Sequence, residues 1–386
     1  MINLKFGRLA LASLAASLGL DALAQDLIWS DEFNTGSQPN TGYWAYDLGG
    51  GGWGNNELQT YTDSPDNVRV EGGHLVITAQ EVSLKGKRKS YTSARLKTQN
   101  KVTFKYGVLE ARIQVPDLAE GLWPAFWTLG ADFPVVGWPA CGELDVMEMG
   151  SASALADGVV NRRVGSTAHW EHGGGYAGYG LTLDAGADLN DSFHTFRMEW
   201  DPLFVSTYLN GQLIWTMDIS AGACTDCTEF HQPHFIIMNM AVGGSYTGLF
   251  SYRDIVGQFP REMRVDWVRI YANEWTEMGG SAFPGTEVLV GDISLGTSGR
   301  KRVRATADVL LLDDKGNPVS GALVTGEFSG SHNEVVSAQT DGSGSVSLVT
   351  SSRAQNAAFS FCVTNVSHPS LVYTPASNVA SCDTFP

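Results

Sequence analysis

The sequence predicts an all-β protein made of two β-sandwiches. Its composition is the first observation, because 44 glycines and 17% charged residues among 386 residues fit a turn-rich β protein better than a helical one. Short β-branched and aromatic runs are the second, and they recur about every 10–15 residues between turn signals. The third is tryptophan, since all 11 lie between Trp29 and Trp275. This distribution indicates that a second, smaller domain follows.

The first 24 residues are predicted to be a secretory signal peptide. Lys5 and Arg8 precede an apolar run over residues 9–20, and Ala22-Leu23-Ala24 supplies a small-residue cleavage site. A membrane anchor is the alternative, but the run is shorter than the roughly 20 residues of a span, and Asp21 interrupts it. We therefore expect a secreted protein, extracellular or periplasmic, with no membrane attachment after cleavage.

The first domain is expected over residues 25–275, with strands at regular intervals. Asn210-Gly211 is a hairpin turn signal between two of them. The predicted strands cover residues 27–33, 74–79, 92–96, 107–115, 122–129, 142–149, 193–200, 205–209, 212–218, 235–242 and 263–271.

Residues 276–285 are predicted to form a linker, because glycine, serine and proline dominate them. Residues 286–386 then show short alternating strands with turns at 314–318 and 341–342, which favours a small immunoglobulin-like sandwich. This second domain has no tryptophan. We therefore prefer a spacer or docking module over a carbohydrate-binding one.

Residues 142–149, with the sequence GELDVMEM, place three carboxylates on an apolar strand. Glu143 and Asp145 are two residues apart and share a face, whereas Glu148 has the opposite parity. A one-residue bulge between Asp145 and Glu148 brings all three onto one face. Their mutual repulsion then raises at least one pKa. This arrangement suits glycoside hydrolysis, in which one carboxylate attacks the anomeric carbon and a protonated carboxyl gives its proton to the leaving oxygen. The alternative is that the three acids lie on a solvated strand face.

Tryptophans and amides near these acids indicate a sugar ligand. Trp53 lies in a glycine-rich loop and is followed by Asn55, so an indole and an amide are available to a sugar ring and its hydroxyls. Trp123 and Trp127 alternate onto one strand face, and the alanine between them leaves open space. Trp138 lies just ahead of the acids. Buried core aromatics or turn residues are the alternative for each position.

Two further positions carry weaker signals. Arg95 could form a hydrogen bond to a sugar hydroxyl, and an ion pair with a neighbouring acid is an equally good interpretation. His169 precedes residues 172–176, a glycine-rich stretch expected to be a mobile loop beside the cleft, although a lone histidine is more often structural. The net charge of −16 argues against nucleic acid and favours a neutral ligand.

The five cysteines fit an oxidising compartment and leave one thiol unpaired. Cys362 and Cys382 are alone in the C-terminal portion, so we pair them. Cys224 and Cys227 are expected to close a local disulfide, with a zinc site as the alternative. Cys141 remains and is expected to be a small buried hydrophobe.

Residues 143–148 resemble the signature of glycoside hydrolase family 16, in the form with an extra residue before the last acid that is typical of laminarinases, the endo-β-1,3-glucanases. The resemblance covers about residues 27–273. Further blocks similar to those of laminarinases occur in the family's order at residues 52–61, 121–127, 193–200, 239–244 and 265–271.

The resemblance implies a concanavalin A-like jelly roll with an open cleft, and retaining hydrolysis of β-glucans without a cofactor. Glu143 would be the nucleophile, Glu148 the acid/base, and Asp145 the group that tunes the nucleophile. The implied substrate-binding positions are Trp53, Asn55, Arg95, Trp123, Trp127, Trp138, His169 and Asn239. The implied structural calcium would be held by the backbone oxygens of Glu32 and Gly73 with Asp266.

The leading hypothesis is therefore a monomeric, secreted endo-β-1,3-glucanase that acts on neutral β-glucan. A mixed-linkage β-1,3-1,4-glucanase, a transglycosylase and another family 16 polysaccharide hydrolase remain open. A β-glucan-binding protein without catalytic activity is the more remote alternative.

Overall fold

The computed structural model describes residues 26–84, 88–119, 121–190, 192–283, 285–355 and 358–386. The predicted signal peptide, residues 1–24, lies outside these ranges. Within them, none of the helices has the length and apolar character needed to cross a membrane.

The protein is an all-β molecule, and its first 19 strands form two large sheets. The strands are β1 Leu27–Asp31, β2 Ala45–Tyr46, β3 Gln59–Tyr61, β4 Val68–Glu71, β5 His74–Leu84, β6 Arg88–Ser93, β7 Arg95–Lys97, β8 Thr103–Lys105, β9 Gly107–Gln114, β10 Leu122–Gly130, β11 Glu143–Glu148, β12 Arg163–His172, β13 Gly175–Asp184, β14 His194–Trp200, β15 Phe204–Leu209, β16 Gln212–Asp218, β17 His234–Val242, β18 Arg261–Tyr271 and β19 Glu277–Gly279.

Two sheets of nine and ten strands give the jelly-roll sandwich that the sequence predicts. The sheet that carries the acid strand, here called the cleft sheet, has the order β13-β12-β11-β10-β17-β7-β2, and β8 joins β17 to β19. The opposite sheet, here called the back sheet, has the order β16-β15-β14-β9-β18-β5-β6-β3, with β1 on β18 and β4 on β5. Short helices interrupt the loops at α1 Phe133–Val136, α2 Ala152–Ala156 and a 3-10 turn at Thr228–His231.

A continuous apolar core fills the space between these sheets. Strand alternation builds it, because inward side chains such as Phe126, Phe196 and Trp200 are almost fully buried while their neighbours face outward. The central strand β17 is buried at every position. One of its faces packs into the core, and the other lies beneath the cleft.

The remaining strands form two four-stranded sheets around a separate apolar cluster. One has the order β24-β21-β20-β26 and the other β23-β22-β25-β27. Their assignment to an immunoglobulin-like domain stays a prediction. The strands are β20 Glu287–Ser298, β21 Arg304–Asp313, β22 Leu323–Gly330, β23 Glu334–Gln339, β24 Ser345–Val349, β25 Phe359–Ser367, β26 Val372–Tyr373 and β27 Cys382–Phe385, with a 3-10 turn at Pro375–Ser377.

The structure contains both predicted disulfides. Cys362 and Cys382 are directly opposite each other on β25 and β27, and their sulfur atoms are 2.06 Å apart. Cys224 and Cys227 bond across a three-residue separation, so the disulfide is present where zinc was the alternative. Cys141 is free and buried, as expected.

Candidate active site

The three acids lie on β11, between β10 and β12 in the cleft sheet. The pairing of β11 with β12 shifts between Asp145 and Glu148, which confirms the predicted bulge. Leu144 and Val146 are buried in the core, whereas the three carboxylates line the same cleft. The bulge therefore gathers Glu143, Asp145 and Glu148 on one face.

The cleft encloses about 700 Å³ over the cleft sheet. All eight positions predicted to bind substrate line it, and these are Trp53, Asn55, Arg95, Trp123, Trp127, Trp138, His169 and Asn239. Indole rings and polar side chains therefore line the cleft together, which is the usual make-up of a ligand site.

Glu148 is held by the indole of Trp123. Trp123 Nε1 donates a hydrogen bond of 2.9 Å to Glu148 Oε1. The indole is itself fixed by a stack on Tyr246, with ring centroids 4.9 Å apart. Burial, and then the charge of Asp145, raises the pKa of Glu148 to about 8. A carboxyl whose pKa is raised in this way is suited to donate a proton near neutral pH.

Glu143 and Asp145 share an imidazole neighbour. His169 Nε2 is 2.9 Å from Asp145 Oδ2, although this close contact is not aligned as a hydrogen bond, and 4.0 Å from Glu143 Oε1. Burial raises the pKa of Asp145 to about 8. Burial, followed by the charge of Asp145, also raises the pKa of Glu143 well above its usual range, and His169 opposes that rise. The imidazole therefore favours negative charge on this pair.

A chain of hydrogen bonds beneath the cleft fixes Trp127. Its indole Nε1 donates to Asn239 Oδ1 at 2.8 Å, and Asn239 Nδ2 donates to the hydroxyl of Tyr61 at 3.2 Å. Tyr61 in turn donates to the buried Glu57 carboxylate at 3.0 Å. Burial is the main cause that raises the pKa of Glu57. This series of hydrogen bonds therefore orients both the Trp127 indole and the Asn239 amide.

Arg95 forms the ion pair that is one of its two predicted roles and also lines the cleft, where the sugar contact stays a prediction. Its guanidinium lies between the rings of Trp53 and Trp127, 5.1 and 4.7 Å from their centroids. Its Nε is 3.0 Å from Asp47 Oδ2, and Lys97 Nζ is 2.6 Å from the other oxygen of the same carboxylate. Arg95 is thus in an ion pair and at the cleft surface at once.

The ends of the cleft are built by loops. Asn55 belongs to the glycine-rich loop, and its backbone oxygen accepts hydrogen bonds from the amide and hydroxyl of Ser245. At the other side Trp138, half exposed, stacks on Tyr176 with centroids 5.4 Å apart. These two contacts join segments that are distant in the sequence.

Sequence reasoning missed several cleft residues, among them Asp47, Tyr176 and Tyr246. The expected mobile loop at 172–176 is instead a tight hairpin, in which His172 pairs with Gly175 across two glycines of positive φ. Consecutive glycines that flank a strand pattern are a signal for such a turn. That signal places Tyr176 on a strand beside His169.

The predicted calcium ligands lie away from the cleft, at neighbouring positions of the back sheet. Glu32 follows β1, Gly73 is in the turn before β5, and Asp266 is on β18. Arg112 donates to the Asp266 carboxylate, whose other oxygen is 3.7 Å from His74 Nε2. These side-chain positions do not fit a cation, because Asp266, the single side-chain carboxylate among the three predicted ligands, is already paired with the Arg112 guanidinium. Calcium therefore remains a prediction of the resemblance alone.

Comparison with known proteins identifies relatives. The family model described as glycosyl hydrolases family 16 matches residues 55–269. The clotting factor G alpha subunit of Tachypleus tridentatus is 34% identical over 315 residues, 80% of this chain and 42% of that protein. This chain therefore spans less than half the length of that subunit.

Two further relatives are covered over most of their length. A beta-glucanase of Rhodothermus marinus is 35% identical over 260 residues, which are 65% of this chain and 86% of that protein. Among solved structures, the laminarinase catalytic domain of Thermotoga maritima MSB8 has a TM-score of 0.55 at 38% identity. The match covers 64% of this chain and 98% of that domain.

Proposed function

The chain belongs to family 16 of the glycosyl hydrolases, and we propose that it is a secreted enzyme that hydrolyses internal β-1,3-glucosidic bonds of laminarin-type glucans with retention of configuration. The observation that carries this proposal is the single strand β11, whose bulge directs three carboxylates, one buried and two partly buried, into a tryptophan-lined cleft. Two carboxylates of different protonation are what glycoside hydrolysis requires.

In the first step, Glu143 attacks the anomeric carbon as the glycosidic C–O bond breaks, and Glu148 gives its proton to the departing sugar oxygen. An ester between the sugar and Glu143 results. In the second step, ionised Glu148 takes a proton from water, the water oxygen attacks the anomeric carbon, and Glu143 leaves as a carboxylate. Both acids end in their starting states.

The assignment of roles rests on what faces each acid. His169 lies near Glu143 and Asp145, so negative charge is favoured there, as a nucleophile needs. Glu148 faces a neutral indole N–H, and burial followed by the charge of Asp145 raises its pKa, so we assign the proton to this carboxyl. Asp145 lies 2.9 Å from His169 and tunes Glu143 through its own charge.

The cleft and the net charge support a neutral glucan. A protein with a net charge of −16 repels polyanions. Indoles such as those of Trp123 and Trp127, which line the cleft, stack on the C–H faces of sugar rings. The relative solved as a laminarinase domain supports the β-1,3 linkage. We propose a monomer that needs no cofactor for catalysis and is exported by its N-terminal signal.

Replacement of the nucleophile tests the proposal. We expect Glu143→Gln to lower the release of reducing ends from laminarin at least about 10³-fold, because no carboxylate then attacks the anomeric carbon. Glu110→Gln, a half-buried carboxylate of the back sheet, is the matched control and should retain activity. Undiminished activity of Glu143→Gln would refute the assigned role.

Product analysis separates the remaining alternatives. Purified protein is screened on laminarin, lichenan, agarose and carrageenan, and we expect laminarin to be cleaved fastest. Fresh products should show the β-anomer first by NMR. Preference for lichenan would indicate a mixed-linkage enzyme, and products longer than the substrate would indicate transglycosylation. Binding without cleavage would indicate a non-catalytic glucan-binding protein.

A further inference from the structure

Tyr176, on β13, reaches from the edge of the cleft sheet to the imidazole beside the acids. Its hydroxyl is 2.8 Å from His169 Nδ1, and its ring stacks on Trp138 with an interplanar angle of 27°. Tyr176 as a whole is 59% exposed. Tyr176 is therefore held at both its hydroxyl and its ring face, although more than half of the residue is exposed.

A glycine makes this contact possible. Gly178 is directly opposite His169 in the β12–β13 pairing, and Tyr176 lies two residues earlier on the same face. A Cβ at position 178 would be 2.6 Å from the Tyr176 hydroxyl and 3.3 Å from His169 Nδ1. The tyrosine therefore passes over a position where any other residue would displace its hydroxyl.

The hydrogen bond selects one form of the imidazole. The Asp145 carboxylate lies 2.9 Å from Nε2 and can only accept a hydrogen bond, so the N–H is favoured on Nε2 and Nδ1 is left to accept a hydrogen bond from the Tyr176 hydroxyl. A neutral imidazole has one donor and one acceptor nitrogen, so Nε2 carries the N–H. That nitrogen is the one that faces Asp145 at 2.9 Å and Glu143 at 4.0 Å.

We propose that Tyr176 is a positioning residue of the glucanase reaction, which acts through His169 by holding its Nε2–H against the Asp145 and Glu143 carboxylates. This inference rests on the proposed function and adds to it a residue outside the acid strand. The N–H stabilises the negative charge that the nucleophile needs before it attacks. The stack on Trp138 keeps the tyrosine in place while the sugar enters.

Tyr176→Phe removes the hydroxyl and keeps the ring that stacks on Trp138. We expect kcat/KM on laminarin to fall about ten-fold, mostly in kcat, with KM changed less than about two-fold. The acidic limb of the pH profile should move to higher pH, because loss of the donor raises the pKa of the ionising Asp145 and Glu143 pair. Gly178→Ala should have the same effect although the tyrosine is still present.

Tyr179→Phe is the matched control. Tyr179 is on the same strand but packs edge-on against Trp215, with centroids 5.7 Å apart, and is not part of the cleft lining. Its kcat and pH profile should equal those of the wild type. A Tyr176→Phe enzyme with wild-type kcat and an unmoved acidic limb would overturn the proposal.

A measurement without substrate distinguishes this proposal from the proposed function. The ¹⁵N NMR shifts of the His169 ring should report the Nε2–H form in the wild type and a mixture of forms in Tyr176→Phe. If the shifts change as expected but the wild type cleaves no β-glucan, the proposed function fails, while the control of the His169 tautomer by Tyr176 stands. If the wild type cleaves laminarin and the shifts are identical in both proteins, the positioning role alone fails.

Discussion

The indole N–H of Trp123 controls how readily Glu148 loses its proton, and Trp123→Phe tests this directly. In the proposed mechanism Glu148 acts while protonated, so its pKa of about 8 is expected to set the basic limb of the pH profile. The indole bond of 2.9 Å favours the ionised form and lowers that pKa. A hydrogen bond to a charged group contributes about 1.5–3 kcal/mol, and 1.36 kcal/mol corresponds to about one pH unit. Because water replaces part of this bond, we expect the basic limb to move up by about one pH unit.

The assay is kcat/KM on laminarin between about pH 5 and pH 10, since that ratio reports the free enzyme. Trp127→Phe is the matched control, because the indole hydrogen bond that it removes is donated to Asn239 and not to a carboxylate. Its KM should rise, but its basic limb should stay in place. A Trp123→Phe profile with an unmoved or lowered basic limb would refute the assignment of Glu148 as the acid.

Three further predictions concern stability and the accessibility of a thiol. Loss of the Cys362–Cys382 bond by double alanine substitution should cost about 3 kcal/mol of unfolding free energy in a denaturant titration, since a loop of this length then opens; no loss would contradict it. Burial raises the pKa of the Cys141 thiol to about 12, so Cys141 should react with a thiol reagent only after unfolding. The contact of Arg112 with Asp266 predicts a Tm that EDTA leaves unchanged, whereas a fall of several degrees would support the calcium that the resemblance implies.

The acid strand is the part of the site that could be predicted best from sequence. Parity along a strand is a local property, so the mismatch of Glu148 with Glu143 and Asp145 pointed to the bulge that the structure contains. The same reasoning placed Trp123 and Trp127 on one face, and both line the cleft.

The supporting contacts could not be predicted, because they depend on long-range register. The bond between Tyr176 and His169 requires His169 to pair with Gly178, and a one-residue slip would turn the tyrosine away. The chain from Trp127 to Glu57 crosses between strands that are far apart in sequence. Strand periodicity alone carries no information about such pairs.

The calcium prediction illustrates a different limit. The family resemblance identified Glu32, Gly73 and Asp266 as ligands, and these residues do lie close together on the back sheet. The resemblance does not specify which other side chains surround them. Here Arg112 supplies a cation to the carboxylate of Asp266. The chemistry of a site depends on these neighbours as much as on the ligands themselves.

The central claim is that Glu143 forms a covalent bond to the sugar, and labelling with a 2-deoxy-2-fluoro laminari-oligosaccharide fluoride tests it most directly. The fluorine slows the second step, so the ester accumulates and peptide mass spectrometry locates it. We predict one sugar adduct per chain, on the peptide that contains residues 143–148, with fragmentation assigning it to Glu143. An adduct on Glu148 or Asp145, or turnover of laminarin with no adduct at all, would contradict the mechanism.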